Sequence, residues 1–105
     1  MNKIAFLNDG LRRTFARGKV LMTEGVAALP EETLAQVLER VRHFDDFNND
    51  NDPHGEHDFG SFDVAGVTYF FKIDYYTPDM EGRSEDPTDP EKTTRVMTLM
   101  RGDEY

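Results

Sequence analysis

Two stretches of the chain carry apolar residues at helical spacing, and several shorter ones carry them at strand spacing. In residues 2–17, Ile4, Leu7, Leu11 and Phe15 fall at i, i+3, i+7 and i+11, one stripe of a 3.6-residue period. This predicts a helix with Arg12, Arg13 and Arg17 near its C-terminal end, where the dipole favours cations, and Gly18 as its stop. A second helix is better marked. Pro30 suits a first helical position, and Glu31 and Glu32 complement the positive end of the dipole. Leu34, Val37, Leu38 and Val41 make its apolar face, Arg40 and Arg42 fill its last turn, and it should end near His43-Phe44.

The strand signals follow a different period. Lys19 to Thr23 reads as a short strand before a turn at Glu24-Gly25. The strongest signal is a hairpin, in which Gly60 to Val64 and Val67 to Tyr76 are β-rich runs split by Ala65-Gly66. A two-residue turn there dictates the register. Val64 faces Val67, Phe62 faces Tyr69 and Gly60 faces Phe71 on an apolar face extended by Ile73. Asp63 pairs with Thr68, Ser61 with Phe70 and Phe59 with Lys72 on the other. Carried outward, the same register sets His57 opposite Asp74, with Glu56 and Lys72 nearby. Residues 77–91, with Pro78, Pro87, Pro90 and many acids, read as a loop, and Thr93 to Met100 reads as a last strand for which helix is a competitor. The pieces assemble into one α+β domain spanning 1–105, with two helices packed on a small antiparallel sheet of three to four strands around the central hairpin.

Charge changes this picture from a generic domain to an asymmetric one. The chain has 105 residues and a formal charge of −9. Lys3, Arg12, Arg13, Arg17 and Lys19 against Asp9 make residues 1–20 net +4, whereas residues 44–91 set fourteen carboxylates against Lys72 and Arg83, a net of −12. Duplex nucleic acid, which demands a broad positive face, is a poor partner for such a body, and a protein with a basic surface is a good one. The absence of cysteine excludes disulfides, zinc ribbons and thiolate nucleophiles, and fits a reducing compartment. The apolar stretch at the start is too short for a signal peptide, and no segment approaches a membrane span, so a cytoplasmic protein without membrane contact is expected.

Candidate chemistry concentrates in residues 45–58. Asp46, Asn48, Asp50 and Asp52 alternate like calcium ligands, but Asn51 stands where glycine is required and His57 where a bidentate glutamate is required, so an Asx-rich turn is the better reading. His54, His57 and Glu56 offer a divalent metal three ligands with a position left for water, at a spacing that matches no established zinc motif; otherwise no cofactor is expected. Without a metal, His57 and Asp74 supply a general base and its orienting carboxylate, and Lys72, Tyr75 or Tyr76 an anion stabiliser. A binding reading draws on Asp52, His54, Glu56, Asp58, Tyr75, Tyr76 and Arg95, where acids and aromatic rings present a surface to a basic partner. A third reading makes the histidine loop a structural clasp. No nucleophile elbow, P-loop or dinucleotide fingerprint is present.

Several blocks carry a resemblance. Leu7-Asn8-Asp9 with Arg12-Arg13-Thr14-Phe15, Gly25-Val26-Ala27-Ala28-Leu29-Pro30, Asn51-Asp52-Pro53-His54-Gly55-Glu56-His57-Asp58-Phe59-Gly60, Lys72-Ile73-Asp74-Tyr75-Tyr76 and Thr94-Arg95-Val96 resemble a family of short bacterial proteins. That family is a domain of unknown function, number thirty-seven sixty-eight, and its members are often plasmid-borne. The resemblance covers nearly the whole chain and implies no activity, cofactor or catalytic residue. A mobile-element origin suits a small acidic inhibitor that mimics DNA or blocks a host defence complex. The leading expectation is therefore a non-enzymatic protein-binding or inhibitory accessory factor. Its rival is a small metal-dependent hydrolase or nuclease centred on the His54-Gly55-Glu56-His57-Asp58 loop.

Overall fold

A computed structural model of the chain describes residues 2–105. In chain order the elements are α1 (Lys3–Thr14), β1 (Lys19–Met22), α2 (Glu24–Ala27), α3 (Glu31–His43), β2 (Phe59–Val64), β3 (Val67–Tyr76) and β4 (Thr94–Arg101), closed by a 3-10 turn over Gly102–Glu104. Helices pack on one face of a four-stranded sheet of order β1-β4-β3-β2, an α+β architecture.

The hairpin register is the expected one, from Val64↔Val67 to Phe59↔Lys72. Ala65 (φ 52°) and Gly66 (φ 79°) both take positive φ, as a two-residue turn matched to strand twist requires. Gly60 is dictated by its partner, because a Cβ there would stand 2.5 Å from the Phe71 ring. β4 is a strand, antiparallel to β3 throughout its length. The sheet is mixed rather than antiparallel, since β1 lies parallel to β4, with Lys19↔Val96 through Met22↔Leu99. No short turn joins these two strands, so nothing local imposed an antiparallel direction.

The helices depart from expectation in instructive ways. α1 is capped by Asn2, whose Oδ1 accepts from the Ile4 amide at 2.7 Å, and it ends at Phe15 (φ 56°), before Gly18. Gly18 serves packing instead: a Cβ there would lie 2.9 Å from the Arg95 carbonyl oxygen. Of the stripe Ile4, Leu7, Leu11 and Phe15, only Leu11 is fully buried, and the buried face of α1 is Ala5, Asn8, Asp9, Leu11 and Arg12. Glu24-Gly25 opens the single-turn helix α2 rather than a turn, and Pro30 sits just before α3. Val37, Val41 and Phe44 from α3 meet Phe62, Tyr69, Phe71 and Ile73 from the hairpin and Met97 and Leu99 from β4 in one core.

Candidate binding cleft and the clasp behind it

β3 outruns β2. Beyond Lys72, where β2 begins opposite it, β3 continues through Ile73, Asp74, Tyr75 and Tyr76. The Asp58 carbonyl accepts from the Ile73 amide at 2.8 Å, and further along the segment around Arg83 bridges Tyr76. Between these two attachments lies a cleft of about 410 Å³ whose walls include Glu56, Asp58, Asp74, Tyr75, Tyr76 and Arg83. A larger, shallower groove of about 610 Å³ runs between α3 and the hairpin turn, and none of the sequence-derived candidates lines it.

Behind the cleft, loop 45–58 is anchored by charges turned inward. Arg12 is 1% exposed. Its NH1 donates to the carbonyls of Val41 (3.0 Å), Arg42 (3.3 Å) and Phe44 (2.7 Å), and its NH2 to Asp9 Oδ1 (2.8 Å). A guanidinium thus caps the C-terminal end of α3, where unpaired carbonyls and the dipole favour a cation. Its expected role at the end of its own helix is overturned: the helix end it serves lies about thirty residues away. Asp9 in turn accepts from His57 Nδ1 at 3.0 Å, and the His57 ring stacks on Phe47 with centroids 4.0 Å apart and planes 1° from parallel.

The expected pairing of His57 with Asp74 is therefore wrong. β2 begins at Phe59, and His57 takes a positive φ of 57°, which turns its side chain away from the sheet register and toward α1. Asp74 instead pairs with Lys72 at 2.9 Å, a half-buried contact two residues along the same strand. That hydrogen bond raises the Lys72 ammonium's pKa above its ordinary value. Lys72 and His57 do not share a site. Asp52 is buried and accepts from the Glu56 amide (3.0 Å) and the His57 amide (3.2 Å), so it builds the loop rather than a binding surface. Asn48 and Asn51 close Asx turns on Asp50, Asn51 and Asn48, as the Asx-rich reading expected.

A second network joins clasp to cleft. Asn8 donates from Nδ2 to the Glu56 carbonyl (3.0 Å) and to the Tyr75 hydroxyl (2.8 Å), and its Oδ1 accepts from Arg95 Nε (2.9 Å). Both amide hydrogens and the carbonyl of this buried side chain are thereby used. Tyr75 then donates to Glu56 Oε1 at 2.9 Å, and burial first of all holds its phenol far above the ordinary tyrosine range. Arg95, nearly fully buried, supports the Tyr75 ring from behind at 5.3 Å and also donates to the Pro87 carbonyl; burial lowers its pKa. Arg95 is a positioning residue and not part of the cleft wall.

Of the remaining candidates, Glu56, Asp58, Tyr75 and Tyr76 do meet in the cleft, and His54 stands exposed at the loop tip. Among the described residues no cation lies within ion-pair distance of Glu56 or Asp58. Burial, and next the neighbouring Glu56 charge, hold the Asp58 carboxyl above its usual range. Among the described residues no three His, Asp or Glu side chains are grouped so as to hold a metal ion, so His54, His57 and Glu56 do not converge as a ligand set. No helix among them is long and apolar enough to cross a membrane. Asn8, Asp9 and Phe47 were missed by spacing. The signal for Asn8 and Asp9 was a run of polar residues, Asn8, Asp9 and Arg12, at helical spacing beside Ala5 and Leu11 on one face; Phe47, in the loop after α3, had none.

A family model described as "Protein of unknown function (DUF3768)" matches residues 22–104. The chain belongs to the DUF3768 family. The matched part holds the whole cleft wall except Ile4. Asn8, Asp9 and Arg12, the residues α1 contributes to the clasp, precede it. No curated protein and no solved structure matches the chain.

Proposed function

We propose that this DUF3768 domain is a non-enzymatic binding module of the cytoplasm that engages a basic protein, inserting that partner's cationic side chains into the cleft of Glu56, Asp58, Asp74, Tyr75 and Tyr76. One observation carries the reading: Glu56 and Asp58 share a partly enclosed cleft in which burial, and next the Glu56 charge, raise the pKa of the Asp58 carboxyl, and among the described residues no cation, Arg83 of the same wall included, lies within ion-pair distance of either. An ammonium or guanidinium entering there relieves that repulsion and finds aromatic faces for cation–π contact. The charge of residues 44–91 adds long-range attraction toward a basic surface. An accessory or inhibitory role, in which this acidic surface occupies a site otherwise taken by DNA, fits the same chemistry.

The test is a titration with an arginine- and lysine-rich peptide at low salt, followed by backbone amide shifts. The expected result is perturbation concentrated at residues 56–59 and 74–84, weakening steeply as salt rises. Absence of binding at low salt, or shifts confined to other surfaces, contradicts the proposal. The hydrolase reading has no observation in its favour, because His57 faces Asp9 and Phe47 rather than the cleft.

A further inference from the structure

The two edges of the sheet are treated differently. Along β2, the Asp63 carbonyl is taken by Arg40 NH1 at 2.8 Å, and Asp63 places a charge on the strand, both of which discourage a further strand. β1 carries its one charge, Lys19, at its first position and leaves Val20 to Met22 uncharged. Among the described residues nothing pairs with its outer edge. The Thr23 amide donates to the Leu99 carbonyl at 3.0 Å, so alternation along a parallel pair turns the N–H and C=O of Val20 and Met22 outward. Leu21 (49% exposed) and Met22 (40%) are two of the exposed large apolar residues of the molecule.

Charge along this edge is ordered as well. Exposed Arg17 and Lys19 stand at the start of β1, and Glu24 follows its end. Glu104 is held at that same end by Thr23 Oγ1 (2.6 Å) and the Gly25 amide (2.9 Å).

We propose that β1 pairs antiparallel with β1 of a second copy of this chain about a two-fold axis at Leu21, merging two four-stranded sheets into one of eight strands. In this arrangement Val20 of each copy exchanges hydrogen bonds with Met22 of the other, and the two Leu21 side chains meet. The basic start of each β1 lies beside the acidic end of its partner, twice by symmetry. A parallel pairing would set like charges together, so the charge pattern selects the antiparallel dimer. The inference is independent of the cleft, which lies beyond the far end of β2.

The chain contains no cysteine, so a single Leu21→Cys substitution reports the contact directly. Leu21 would form a non-hydrogen-bonded pair with its copy, with Cα atoms about 4.5 Å apart, within disulfide reach. Under mild oxidation the expected result is a disulfide-linked dimer forming at least about tenfold faster than for Ser61→Cys on the β2 edge. Sedimentation should show the unmodified chain dimerising as its concentration rises, with Leu21→Lys weakening association at least tenfold. Val20→Pro, which removes an N–H the chain's own sheet does not use, should act likewise. A monomer at every concentration up to about 1 mM, a dimer indifferent to Leu21→Lys, or cross-linking no faster than at Ser61 overturns the proposal.

Discussion

Glu56 and His57 are adjacent in the chain and face opposite environments. His57 is turned inward by its positive φ, held by Asp9 and stacked on Phe47, and Asp9 is neutralised by Arg12. Glu56 and Asp58 line the cleft, where among the described residues the only polar side-chain partner of Glu56 is the Tyr75 hydroxyl and no cation lies within ion-pair distance of either charge. Clasp and cleft are thus built from alternating residues of one loop. A buried charge with every partner supplied from within is structural; a half-enclosed charge left without one has room for a partner from outside.

The substitutions that separate the two sides differ in size. Arg12→Ala leaves Asp9 buried without its cation and the α3 carbonyls without a donor, and should cost about 3–5 kcal/mol in urea unfolding, a large part of a small domain's stability. His57→Ala removes one donor to Asp9 and the Phe47 stack, and is expected to cost about 1–3 kcal/mol. If His57→Ala left stability unchanged, the clasp would not be the inward side of the comparison. Asn8→Ala should cost about 1–3 kcal/mol and also weaken peptide binding, because it frees both Tyr75 and Glu56. Its equality with His57→Ala in binding would erase the distinction between the networks.

The smallest effect has a definite sign. The Asp58 carboxyl has a raised pKa in the folded chain, so the folded state binds its proton more tightly than the unfolded state does. Its charge therefore costs stability at pH values above the folded pKa, and that cost disappears as pH falls below the unfolded value of 3.8. Asp58→Asn should raise the melting temperature slightly at neutral pH, by less than any loss above, and the gain should vanish toward the acid end of the range. Solvent reaching this half-buried group keeps the effect small. A loss at neutral pH would mean that Asp58 has an internal partner after all.

The hairpin was legible because its information is local. A two-residue turn sets the register, and the alternation of Phe62, Val64, Tyr69, Phe71 and Ile73 confirms which face is apolar. The same register failed two residues beyond the strand, at His57, because pairing rules hold only while the backbone stays extended. Arg12 was misread for another reason: its acceptors at 41–44 are brought to it by tertiary packing, which helical periodicity cannot see. The parallel placement of β1 beside β4 likewise rests on contacts some 77 residues apart. Glu56, Asp58, Tyr75 and Tyr76 could be grouped from sequence because the hairpin brings their segments together. Arg95 is the cross-strand partner of Tyr75 through the β3–β4 pairing, which no short turn signals, and its bond to Asn8 further needs the packing of α1.

The most direct test of the cleft as a cation-binding site is calorimetric titration of the basic peptide into the Glu56→Gln/Asp58→Asn double variant, with thermal unfolding measured on the same samples. The glutamine still accepts from Tyr75, so the clasp is untouched. The account expects binding weakened at least about tenfold, or 1.4 kcal/mol, with a melting temperature equal to or slightly above that of the unmodified chain. Unchanged affinity with either melting temperature would contradict it.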